Sequence, residues 1–138
     1  MIILDTSFIF ALIAKKDKYY KRASVILERL MQESDNVYIT TYSVLAETIT
    51  LAVFRYQGNM TYIKKYYSLF WGPENFFKLS FIGTNEYKKI YQILEKYSTL
   101  KRQLSFVDAS LIYLYEKLDA KHIISFDGHF DTILNRLF

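Results

Sequence analysis

No cysteine occurs among the 138 residues, and there are only one proline, four glycines and two histidines. The missing thiols exclude disulfides and thiolate metal sites. With His122 and His129 as the sole imidazoles, zinc is disfavoured, and a metal centre would fall to oxygen ligands, the preference of Mg²⁺ and Mn²⁺. The sparse glycine and proline leave no linker-like or low-complexity tract. No apolar run approaches the roughly 20 residues of a membrane span. The opening Met1-Ile2-Ile3-Leu4-Asp5 lacks the basic start and small-residue cleavage site of a signal peptide, so the expected location is cytoplasmic.

Apolar residues make up 51% of the chain and aromatics 18%, enough for one packed core, and a single domain over 1–138 is expected. The net charge is +4 and the pI about 9.1. Its cations cluster in Lys15-Lys16-Asp17-Lys18-Tyr19-Tyr20-Lys21-Arg22, in Lys64-Lys65-Tyr66-Tyr67 and in Lys101-Arg102. Such runs either solubilise helices or attract phosphates. Their tyrosines either stack bases or pack at a core edge or dimer interface.

Short apolar runs alternate with longer stretches of helical period. Strands are predicted over Ile2–Asp5, Asn36–Thr40, Phe76–Phe81 and Lys121–Ser125. Helices are predicted over Thr6–Ala14, Tyr20–Met31, Thr41–Tyr56, Thr61–Phe70, Phe106–Leu118 and Gly128–Leu137, with another capped by Thr84 and running to Tyr97. Strands separated by such helices imply right-handed crossovers and a parallel sheet. The expected fold class is α/β, a three-layer α/β/α sandwich with a central parallel sheet of four or five strands.

Four acids sit at the edges of apolar runs. Asp5 ends the first strand, Glu47 interrupts the helical stretch Tyr42–Phe54, Asp108 lies in the first turn of a later helix, and Asp127 follows the fourth strand. A carboxylate at a core edge is costly unless it is hydrogen-bonded, caps a helix or faces a cation. Asp5, Asp108 and Asp127 each have a structural reading as helix caps. Glu47 does not, because it lies mid-helix and has no Lys or Arg at i±3 or i±4. Sites in open parallel sheets form beyond the carboxyl ends of the strands, where one crevice can collect all four acids. Mutual repulsion there is relieved by a cation, which points to metal-assisted phosphoryl chemistry. His129 is read as a surface helix residue.

Ile3-Leu4-Asp5-Thr6-Ser7, Thr41-Tyr42-Ser43-Val44-Leu45-Ala46-Glu47, Leu104-Ser105-Phe106-Val107-Asp108-Ala109 and Ser125-Phe126-Asp127-Gly128-His129-Phe130 together resemble the PIN-domain nucleases. Their order and spacing are similar to those of the VapC-type toxins of toxin–antitoxin pairs. The resemblance spans essentially the whole chain and implies Mg²⁺- or Mn²⁺-dependent hydrolysis of RNA phosphodiesters. By position it makes Asp5, Glu47, Asp108 and Asp127 the catalytic, metal-holding acids, and Thr6 or Ser7 the auxiliary polar residue. Asp131 is either an additional acid or a helix N-terminal charge. Lys15, Lys16 and Arg102 are candidate RNA-binding residues. The implied partners are RNA, a cognate antitoxin and a second copy of the chain, with exposed aromatics of Tyr56–Trp71 as the candidate dimer surface. The alternatives are a standalone PIN nuclease in RNA processing, an aspartate-based phosphatase or phosphotransfer domain, and a non-catalytic RNA- or protein-binding module.

Overall fold

The computed structural model describes residues 1–138 except 34 and 74. The chain runs β1 (Ile2–Leu4), α1 (Thr6–Ala11), α2 (Tyr20–Gln32), β2 (Tyr38–Thr41), α3 (Tyr42–Arg55), α4 (Met60–Trp71), β3 (Lys78–Ser80), α5 (Tyr87–Tyr97), α6 (Phe106–Lys117), β4 (His122–Ile124) and β5 (Arg136–Leu137). All strand pairs are parallel, in the order β3-β2-β1-β4-β5. Ile3 of the central strand lies between Ile39 and Ile123, and all three are buried. An unbroken apolar strand thus sits where both faces are covered by helices. The chain builds outward from β1 through β2 to β3, then returns to β1's other side with β4. Neighbouring connections therefore diverge between β1 and β4, which opens a crevice beyond their carboxyl ends.

Helix termini follow local chemistry. Thr41 closes β2 and caps α3, accepting a hydrogen bond from Val44 N at 3.2 Å. Ser105 and Asp108 form the reciprocal box expected for α6, with Ser105 N donating to Asp108 Oδ2 at 2.7 Å and Asp108 N to Ser105 Oγ at 3.0 Å. Among the described residues no helix is long and apolar enough to cross a membrane.

Two expectations are corrected. Gly128–Leu137 is not a helix: Gly128–Phe130 is a single 3₁₀ turn, Thr132 adopts φ 68°, and Arg136–Leu137 forms β5 against Ile123–Ile124. A positive φ breaks right-handed helical propagation, while Ile133 and Leu134 pack on the core from an irregular segment. This is the fifth strand that the sequence left unlocated. Thr84 is not a cap; it lies inside a 3₁₀ turn, Thr84–Glu86, that leads into α5. Gly83 occupies the position before that turn, and its N–H donates to Glu86 Oε2 at 2.8 Å.

Candidate metal centre

The crevice beyond β1 and β4 is a groove of about 280 Å³ that includes Asp5, Thr6, Ser7, Glu47, Gln103, Ser105, Asp108, Asp127 and His129 in its lining. All four predicted acids and both predicted polar residues meet there. Asp5 arrives because β1 ends at Leu4 and α1 begins at Thr6, so its carboxylate caps a helix at the carboxyl end of the central strand. Its Oδ2 accepts from Ser7 Oγ at 2.6 Å, Ser125 Oγ at 2.7 Å and, more weakly, Ser7 N at 3.3 Å. Among the described residues no hydrogen bond reaches Asp5 Oδ1, which leaves that oxygen's lone pairs available.

The two serines tie β1 to β4. Ser7 Oγ accepts from Phe126 N at 2.9 Å, and Ser125 Oγ accepts from Asp127 N at 2.9 Å. Each hydroxyl donates a hydrogen bond to Asp5 while accepting one from a backbone N–H of the segment after β4. Asp5 and Asp127 are thereby held in one small polar network. Thr6 turns the other way and donates its hydroxyl to Glu47 Oε2, an orienting contact across 41 positions of sequence. Thr6 and Ser7 consequently serve different acids.

Asp108 is buried, whereas Asp127 and Glu47 are half-buried. Asp127 Oδ1 accepts from His129 N at 2.9 Å, so capping and groove placement coincide for three of the acids. His129 is not a bystander: its Nδ1 lies 3.3 Å from Asp127 Oδ2 and 3.6 Å from Asp108 Oδ2. Nδ1 is buried yet makes no well-aligned hydrogen bond among the described residues. Ligand atoms of Asp108, Asp127 and His129 lie within 4.8 Å of one another. Sequence periodicity placed His129 on a helix; the 3₁₀ turn instead directs its ring back over the acids.

Burial is the main cause that raises Asp5 from an ordinary 3.8 to about 6. The serine hydrogen bonds oppose that rise, and the Asp108 charge adds to it. Among the described residues, no Lys or Arg forms an ion pair with any of the four acids. Converging carboxylate oxygens, a free Asp5 oxygen and a buried unpartnered imidazole nitrogen fit a hard divalent ion bound mainly through oxygen.

The predicted cationic residues lie apart from this network. Lys15 and Lys16 line a different cavity. Arg102 donates to Asp131 O at 2.9 Å and Thr132 Oγ1 at 2.8 Å, pinning the segment after the 3₁₀ turn. Asp131 faces Arg136 through bonds of 2.6 and 2.9 Å, which hold its carboxyl below the usual range. It is neither a groove acid nor the N-terminal charge of an α-helix.

The solved structure of VapC20 from Mycobacterium tuberculosis, described as a toxin that cleaves the sarcin–ricin loop, is similar to this chain at 25% identity. The match has a TM-score of 0.74 and covers 93% of this chain and 91% of that one. PAE2754 from Pyrobaculum aerophilum shares the fold at 17% identity and a TM-score of 0.54, over 93% of this chain and 81% of that one. No curated protein sequence matches significantly. The PIN domain family model matches residues 2–133, nearly the entire chain, and the protein therefore belongs to the PIN-domain family.

Proposed function

We propose that the protein is a Mg²⁺- or Mn²⁺-dependent endoribonuclease and the toxin of a type II toxin–antitoxin pair, acting in the cytoplasm. The convergence of four carboxylates without a Lys or Arg partner among the described residues carries the catalytic part. Similarity to VapC20 supports RNA as substrate and the toxin role.

Asp5, Asp108 and Asp127, with Glu47 across the groove, are the residues that would hold the ion. When bound, such an ion polarises phosphoryl oxygens and makes water a stronger nucleophile near neutral pH. Ser7 and Ser125 fix Asp5 through one oxygen and leave the other free to bind an ion. Thr6 fixes Glu47 by one carboxylate oxygen, leaving the other to accept a proton from water aligned against the phosphate. Gln103, at the groove wall, can donate its amide to a phosphate oxygen.

A cognate antitoxin and a homodimer complete the proposal. Tyr67 and Trp71 are 55% and 48% exposed and pack on each other at 4.7 Å on the outside of α4, a surface suited to a second copy. The catalytic proposal is tested with Asp5→Asn and with EDTA. RNA cleavage should fall roughly 10³-fold, equivalent to several kcal/mol of lost transition-state stabilisation, while folding and RNA binding persist. Cleavage that continues unchanged under either condition rejects it.

A further inference from the structure

Outside the groove, a cation-lined cavity of about 540 Å³ lies at the far ends of α1 and α3. Lys15, Lys16, Arg55 and Lys65 line it together with Tyr56 and Tyr62, against a single acid, Asp17. Ile13 and Ala14 supply apolar lining. Tyr56 and Tyr62 stack on each other at 4.5 Å with their rings 5° from parallel, an aromatic wall in which each ring turns one face to its neighbour and one outward. Lys65 lies 5.4 Å from the Tyr62 ring centre and Arg55 5.6 Å from that of Phe10, so the cationic heads are held over aromatic surface.

The same two helices connect this cavity to the acids. Thr6 begins α1 and bonds Glu47 of α3; the residues after α1 and the last residue of α3, Arg55, reach the cavity. Glu47 and Arg55 are eight positions apart on one helix, an axial separation of about 12 Å at 1.5 Å per residue. The same eight positions turn Arg55 about 80° round the helix axis from Glu47, so a strand running from groove to pocket would follow α3 for a few nucleotides while winding partly round it.

We propose that this pocket is a nucleotide subsite for the RNA strand leading away from the cut, with phosphate against the lysines and Arg55 and base against the tyrosine wall. The proposal rests on the ribonuclease reading and adds where the substrate is gripped. Four cations against one acid favour a polyanion over a protein surface of mixed charge, and aromatic walls beside cations are how single strands are held without sequence readout.

The test measures binding of an unstructured ten-nucleotide RNA by fluorescence anisotropy across a salt series, in EDTA, with all four groove acids intact. A Lys15→Ala/Lys16→Ala/Lys65→Ala protein should bind about tenfold or more weakly at low salt, and its log–log salt slope should shrink by about 2, at roughly 0.7 per lost phosphate contact on a single strand. Lys88→Ala/Lys89→Ala/Lys121→Ala removes equal charge from other exposed positions and should change affinity less than about threefold. Tyr62→Ala should weaken binding about tenfold while keeping the slope. Equal losses in the two lysine triples would mean diffuse attraction and overturn the subsite. So would unchanged RNA binding in the pocket triple, whether or not light scattering shows an altered oligomer; an altered oligomer would make the cavity a protein contact. In those cases wild-type cleavage still upholds the ribonuclease reading, whereas wild-type protein that neither binds nor cleaves RNA sinks both.

Discussion

Glu86 and Asp108 occupy similar positions at the start of neighbouring helices, yet their surroundings differ in kind. Glu86 accepts from Gly83 N before α5, and Asp108 from Ser105 N before α6. Glu86 also receives Lys117 Nζ at 2.5 Å and Tyr113 Oη at 2.6 Å, and these bonds bring it down to about 2. Among the described residues Asp108 has no cationic partner other than the weakly aligned ring of His129, and it stands close enough to Asp5 to help raise it. A carboxylate meant for structure has its cation built into the chain. The groove acids have one another instead, an arrangement that costs stability unless an ion enters.

The sharpest way to break this contrast is to neutralise each acid in turn. Asp108→Asn should lower kcat for RNA cleavage roughly 10³-fold and abolish the shift in thermal midpoint produced by Mn²⁺. Glu86→Gln should leave cleavage within about twofold, since surface ion pairs contribute little, and should lower the midpoint slightly. Comparable activity losses in the two proteins would erase the distinction between structural and groove carboxylates.

The two kinds of acid also predict opposite responses to pH. Asp5 holds its proton more tightly folded, at about 6, than at its ordinary 3.8. In metal-free protein its ionisation therefore lowers stability as pH rises between those values, by about 3 kcal/mol at most. Glu86 behaves inversely: its contribution is present above its ordinary 4.5 and disappears as pH falls through about 2. In EDTA at pH 8, Asp5→Asn should consequently be more stable than wild type by about 1–3 kcal/mol, and the gap should close below pH 4 (about the ordinary carboxylate value). Urea melts across pH check this. An Asn variant less stable than wild type at pH 8 would show that the hydrogen bonds around Asp5 outweigh its burial.

Much of the groove was legible because burial leaves a sequence signature. Ile2–Leu4 is apolar on both faces, and Asp5 ends it abruptly; Glu47 interrupts an apolar helix without a local partner. Residues joined only through tertiary structure left no such trace. The Thr6–Glu47 and Ser7–Phe126 bonds cross 41 and 119 positions. β5 has two residues, too few for any period, and the apolar residues before it imitate a helix. Misreading that segment also hid His129, whose place over Asp127 depends on a 3₁₀ turn.

His129 gives a smaller test of the same contrast. His129→Gln keeps a polar side chain but removes the ring that lies 3.3 Å from Asp127 and 3.6 Å from Asp108. Loss of a supporting or ligating group at a metal site typically costs 10–100-fold, so Mn²⁺ affinity read from thermal shifts should weaken by about tenfold. Unchanged affinity would return His129 to the role of a surface residue.

Thr48 supplies the smallest effect and a control on the logic. It follows Glu47 on α3 but is fully buried, and among the described residues its hydroxyl has no hydrogen-bond partner. An unsatisfied group is costly whether or not it serves function, so the deficit alone does not mark a site. Thr48→Val is nearly isosteric and removes the unpaired oxygen. It should stabilise the fold by about 1 kcal/mol and leave cleavage unchanged, whereas Asp5→Asn should stabilise the metal-free fold and lower cleavage roughly 10³-fold. If Thr48→Val also impaired catalysis, α3 would be transmitting packing changes to Glu47 one residue away, and the groove's function would depend on the core behind it as well as on its acids.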